Sequence, residues 1–139
     1  SGAVSAGLIA DAVHVHPPAM RAALAAKRGP GRLFLVTDAM APAGTDLTEF
    51  RLNGRRVLRR DGRLTLEDGT LAGADLDMPR AVTVLEREVG LPRAEALAMA
   101  TSVPAGLLRR ARGIGRFVAG EPAAAIHLGA DGETVTWLS

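Results

Sequence analysis

The sequence predicts an α/β fold, and three observations in the first forty residues carry that prediction. Gly7 to Val15 is an apolar run that ends in a polar cluster, and it reads as a buried strand. Pro17-Pro18 then opens a helix, because proline is tolerated in a first turn. Met20, Ala23, Leu24 and Lys27 continue it at helical spacing to the stop at Gly29-Pro30-Gly31. Leu33 to Val36 is continuously apolar, the pattern of a strand covered on both faces. A strand, a helix and a second strand in that order call for a right-handed parallel crossover. Each strand delivers an ionisable residue at its C-terminal end, His14 and Asp38, which is where parallel sheets and barrels build their sites.

After a loop rich in Ala, Pro and Gly from Ala39 to Asp46, the pattern changes to short alternating strands. Asn53-Gly54 between alternating residues is a strong hairpin signal. Asp61-Gly62 and Asp68-Gly69 punctuate two further strands, giving an antiparallel meander. Asp75 or Asp77 can cap a helix with Pro79 in its first turn, running through Val82, Leu85 and Val89 to Gly90. A second helix is expected over about Arg93 to Ala100, and Pro104 starts a short third one. Gly113-Ile-Gly115 breaks the pattern, and a final hairpin joins Ala124–Leu128 to Thr134–Leu138.

Composition narrows the function classes. With 139 residues the chain has the length of one domain; 47% hydrophobic and 23% charged residues mark it as globular. No apolar run approaches the roughly 20 residues of a membrane span, and no secretory leader pattern opens the chain, so a cytoplasmic protein is expected. The absence of Cys excludes disulfides, thiolate zinc sites and cysteine nucleophiles. The net charge is only +2, so the pI of about 10.3 reflects a small Arg excess and few groups that titrate near neutrality. Arg51 to Arg63 alternates with Val57, Leu58, Leu64 and Leu66, as the solvated face of strands does. Arg109 to Arg116 is a second Arg-rich stretch. The aromatic residues Phe34, Phe50, Phe117 and Trp137 are scattered, and nucleic acid is not an expected partner.

Few residues can do chemistry. His14 and His16 stand two apart, a spacing that puts both side chains on one face of a strand and suits zinc, iron or nickel. Against this, the change of direction at Pro17 leaves His16 as a helix cap or a solvent-facing ring. His127, inside an apolar run, reads as packed and structural. Asp38 is either a turn or cap residue, or a metal ligand or general base in a cleft. Asp11 sits within the first strand, with a hydrogen-bonded loop residue as the alternative. Thr70-Leu-Ala-Gly73 precedes a helix, where backbone amides suit anions or sugar hydroxyls. Thr101 and Ser102 have no nearby His/Asp pair, so a nucleophilic triad is not indicated.

These residues resemble the C-terminal part of the N-acetylglucosamine-6-phosphate deacetylase family, in the amidohydrolase superfamily. The resemblance runs nearly end to end. Its specific blocks are Ala6-Gly-Leu-Ile-Ala-Asp-Ala-Val-His-Val-His-Pro17, Leu35-Val-Thr-Asp-Ala-Met40, Asp68-Gly-Thr-Leu-Ala-Gly73, and Met78 with Arg80-Ala-Val82. It implies a metal-dependent (β/α)8 barrel joined to a small β-sandwich. Residues 1–115 would then be the C-terminal part of the barrel, its last two strands and helices, with a β-meander near 49–70. Residues 116–139 would supply strands of the sandwich.

The resemblance also assigns roles. Asp38 corresponds to the catalytic Asp that deprotonates water and then protonates the departing amine. Asp11, Ala12, Val13 and His14 correspond to a stretch that contacts the amino sugar phosphate, and Leu71, Ala72 and Gly73 to a loop that closes over it. The divalent metal, zinc or iron, is held in the family by a Glu and two His that precede residue 1 here, leaving Asp38 as the one possible metal contact. A full barrel takes about 250 residues. The expectation is therefore a piece that binds metal poorly and turns over no substrate alone, and that depends on a missing N-terminal part or on self-association; family members are typically homodimers. Two departures stand out: Ala12 replaces a Gly, and Ala74 replaces a Ser. The other readings are a different cyclic amidase or deaminase of the superfamily, and a non-enzymatic self-associating domain.

Overall fold

The computed structural model describes residues 2–108 and 113–138, so part of the Arg109 to Arg116 stretch lies outside the described residues. Its first unit is parallel. Strand β1 (Ala6–Ile9) pairs with β2 (Leu33–Val36) in the register Ala6↔Leu33 to Ile9↔Val36, and helix α1 (Pro17–Ala26) makes the crossover. Strand β1 is shorter than the apolar run suggests. It ends at Ile9, and residues 11–15 bend away, because the Asp11 side chain satisfies backbone donors that a strand would offer to a neighbour. In α1 only Met20 is buried, where it plugs the space under the sheet.

An antiparallel sheet follows, in the order β3 (Glu49–Leu52), β4 (Arg55–Arg60), β5 (Arg63–Leu66) and β6 (Leu71–Ala74). Two-residue turns join the first three strands. Asn53-Gly54 (φ 49° and 79°) and Asp61-Gly62 (φ 51° and 68°) have the paired left-handed residues that the right-handed twist of a hairpin selects. Val57 and Leu64 are buried while the arginines at 51, 55, 56, 60 and 63 stay exposed, as the alternation predicts. Residues 71–74, which the family resemblance gives as a closing loop, are strand β6, following the Asp68-Gly69 turn.

Helix α2 (Met78–Val84) is capped by Asp77, whose side chain accepts from Arg80 N at 2.8 Å. It continues through Leu85–Val89 with the wider turns of a π-helix, and Gly90 (φ 81°) ends it, with Leu91 N donating back to Leu85 O at 2.9 Å. Helix α3 (Arg93–Ala100) lies where the sequence places it. Helix α4 (Ser102–Ala105) starts two residues before Pro104, which sits inside its first turn. Leu8, Leu35, Met20, Val82, Leu85 and Met99 meet in one core between the parallel pair and these helices. The last pair, β7 (Ala125–Leu128) and β8 (Val135–Leu138), is the expected antiparallel hairpin. It is tied to the helices through Arg93, which donates to Gly129 O at 2.8 Å, and Thr83, which donates to Gly132 O at 3.1 Å. The described residues thus form an α/β fold with three sheets. Among them no helix is long and apolar enough to cross a membrane.

Candidate functional site

The two parallel strands end level with each other, and each ending is built around a left-handed residue. The register that pairs Ile9 with Val36 places Asp11 and Asp38 each two residues beyond the ladder. Ala12 has φ 61° and Asp38 φ 53°. That conformation costs an ordinary L-residue roughly 1–2 kcal/mol, and Asp bears it better than Ala. Ala12 therefore stands where glycine would be at ease, so the departure noted at that position carries a conformational cost. Such strain is tolerated where surrounding bonds over-determine the backbone.

At residue 12 those bonds come from Asp11. Its carboxylate is 3% exposed, and Oδ1 accepts from Val13 N at 3.0 Å and His14 N at 2.9 Å. Oδ2 lies 2.6 Å from His14 Nδ1. Burial alone would raise the Asp11 pKa, but the His14 ring, the two backbone amides and the His14 charge together outweigh it and hold the group below the usual carboxylate value. Both Asp11 oxygens bond within the protein, and the residue lies in the bend after β1 and not in the strand where the sequence reading put it. His14 keeps 21% of its side chain exposed. His16 occupies the N-cap position of α1 without a side-chain capping bond, and its ring is exposed. His127, expected to be packed, is exposed on β7, as is its neighbour Ile126.

At the second ending, the meander reaches back to the parallel pair. Ala74 N donates to Asp38 O at 3.1 Å, and Ala39 bridges Ala74 in parallel fashion, so the end of β6 meets the chain just past β2, where Asp38 emerges. Gly73 (φ 129°) permits this approach. A Cβ there would overlap the Met40 sulfur and lie 2.7 Å from Met40 Cγ and 3.4 Å from Asp38 O. The loop after Asp38 is pinned by Arg59, which donates to Thr45 O at 2.6 Å and pairs with Asp75 at 2.9 Å. The structure therefore brings Asp38 together with Gly73 and Ala74, at the end of the strand that carries Leu71 and Ala72, and Asp11 together with Val13 and His14. Ala39, Met40 and Ala74, which the sequence offers only as parts of the family resemblance, meet there too, and the local signal for their close approach is the glycine at 73.

Asp38 is exposed, and it lines neither of two hollows on the surface. A hollow of about 360 Å3 opens beside Leu33, Lys27 and Arg32, at the opposite end of β2. Another of about 410 Å3 lies on the meander beside Arg55, Arg56 and Asp68. Among the described residues no three His, Asp or Glu side chains are placed to hold a metal ion. The donor set does not fit one, since His14 and Asp11 are engaged with each other. What the arrangement offers is one solvent-facing carboxylate just past β2 and, past β1, an imidazole held by a buried carboxylate.

Comparison with known proteins gives this geometry a family. The chain is 44% identical over 104 residues to an N-acetylgalactosamine-6-phosphate deacetylase of Shewanella, covering 75% of this chain and 26% of that protein. It is 35% identical over 121 residues to a putative N-acetylgalactosamine-6-phosphate deacetylase of Escherichia coli K12, covering 87% of this chain and 71% of that one. Among solved structures, N-acetylglucosamine-6-phosphate deacetylase from Pasteurella multocida superposes with a TM-score of 0.83 at 33% identity, over 91% of this chain and 33% of that chain. A mutant of the Mycobacterium smegmatis enzyme, solved in complex with N-acetyl-D-glucosamine-6-phosphate, superposes with a TM-score of 0.77 at 31% identity, over 99% and 37%. No protein-family model matches the chain. The chain spans about a quarter to a third of the length of most of these relatives. It belongs to the amino sugar phosphate deacetylase family, aligning with the C-terminal part of its members.

Proposed function

We propose that this chain supplies the acid–base part of a hydrolase that removes the N-acetyl group from N-acetylglucosamine 6-phosphate, releasing acetate and the free amine. The observation that carries this reading is Asp38, exposed at the end of β2 and fixed through its own carbonyl to the glycine-bearing strand β6. A carboxylate there can take a proton from the water that adds to the acetyl carbonyl carbon. As the C–N bond breaks, the same proton passes to the nitrogen, and one residue serves both transfers. On this reading His14, Ala12 and Val13 face the sugar phosphate from the first strand end, and Leu71 to Gly73 from the meander.

In the whole enzyme the two parallel strands are the last two of a (β/α)8 barrel. Residues 1–115 belong to that barrel and 116–139 to a small β-sandwich, and the assembly is a homodimer in the cytoplasm. The zinc or iron that the family resemblance implies does not fit the donors of the described residues, so its ligands lie elsewhere in the assembled enzyme.

The names of the relatives favour a second substrate, N-acetylgalactosamine 6-phosphate, which differs from the first only at one hydroxyl. Acetate release from both sugars, by protein expressed from its intact gene, tests the reading and ranks the two. Turnover of neither sugar would overturn it.

A further inference from the structure

We propose that Asp11 is a positioning residue: its buried carboxylate fixes His14 as the Nδ1–H tautomer, so that Nε2 meets the ligand as a hydrogen-bond acceptor and selects a donor such as a sugar hydroxyl. The role in catalysis rests on the deacetylase reading; the tautomer does not.

Donors and acceptors around His14 fix the position of the ring proton. An ionised carboxylate can only accept. Oδ1 of Asp11 is taken by the amides of Val13 and His14, and Oδ2 faces His14 Nδ1 at 2.6 Å, so the proton between them belongs to the ring. With Nδ1 protonated in the neutral imidazole, Nε2 carries the lone pair. The same carboxylate closes the turn that puts Ala12 in its left-handed conformation, so ring orientation and backbone shape depend on one side chain. His14 is partly exposed, whereas Asp11 is 3% exposed and reaches a ligand only through the ring.

Nitrogen-15 NMR of the chain's histidines at a pH where the rings are neutral tests this. The expected spectrum shows His14 protonated at Nδ1, with the exposed His16 and His127 as internal references. Finding His14 protonated at Nε2 would overturn the inference without any variant. Asp11→Asn gives the second reading. Its amide oxygen replaces Oδ1 and keeps both backbone bonds, leaving the NH2 group to donate to Nδ1, which drives the ring proton to Nε2. A tautomer switch in Asp11→Asn, with the amide resonances of Val13 and His14 little moved, supports the proposal; an unswitched tautomer in a folded variant overturns it. In turnover by the intact-gene protein, Asp11→Asn should lose at least tenfold in kcat/KM. A correct tautomer with no deacetylation in any form supports the positioning and overturns only the reaction.

Discussion

Replacing Gly73 by Ala should cost about 3 kcal/mol, because two penalties act at one atom. At φ 129° an L-residue is strained by roughly 1–3 kcal/mol. The new methyl also overlaps the Met40 sulfur and sits 2.7 Å from Met40 Cγ. Overpacking of this kind costs about 1–3 kcal/mol, and Met40 lies at the low end because its thioether can swing aside. Asp38 O, at 3.4 Å, is in ordinary contact and need not move. For a domain of this length about 3 kcal/mol lowers Tm by roughly 10 °C. Scanning calorimetry of Gly73→Ala beside Gly69→Ala separates the two penalties, since Gly69 (φ 86°) has nothing within 4 Å of its added methyl. The variant at 69 should lose only the strain, about 1–2 kcal/mol. Equal Tm losses at the two positions would refute the close approach of β6 to the Asp38–Met40 segment.

Acid unfolding should draw on two aspartates. The folded pKa of Asp11 is below its ordinary value, and that of Asp131 is lowered to about 2 by Thr134 and the amides of Glu133 and Thr134. Depressed carboxyl values contribute stability that is whole above about pH 4 and is lost as pH falls towards 2. Urea midpoints should therefore fall steeply between pH 4 and 2, less so in Asp131→Asn, and a flat profile would contradict the hydrogen-bond assignments. Asp77→Ala removes the N-cap of α2 and should cost about 1 kcal/mol by urea unfolding, with no cost expected from Asp61→Ala beyond its turn strain.

The sequence makes the elements legible where local chemistry decides them. Asn53-Gly54 and Asp61-Gly62 demand left-handed pairs, Asp77 caps with Pro79 behind it, and Gly90 stops a helix. Each of these signals acts within four residues. Asp38 and His14 are legible for the same reason, as polar residues at the ends of apolar runs. What escapes is set by distant groups. The turn at Asp11 looks like strand until one sees its carboxylate absorb two backbone donors. Leu71 to Gly73 is a loop by the family resemblance, and its extent as a strand is set by pairing with β5 and the bridge to Ala39, which lie outside its own residues. His127 sits in an apolar run whose alternating face is left uncovered by the described residues.

The central claim is that Asp38 carries the proton and does not hold the fold. Asn tolerates the left-handed φ of 53° as well as Asp does, so Asp38→Asn removes the proton carrier with little added strain. Acetate release and Tm measured together on this variant, in the intact-gene protein, test it directly. The expected result is a kcat loss of about 10²–10⁴-fold with Tm within a degree or so of the parent. Turnover that survives the substitution, or falls only in step with Tm, would contradict it.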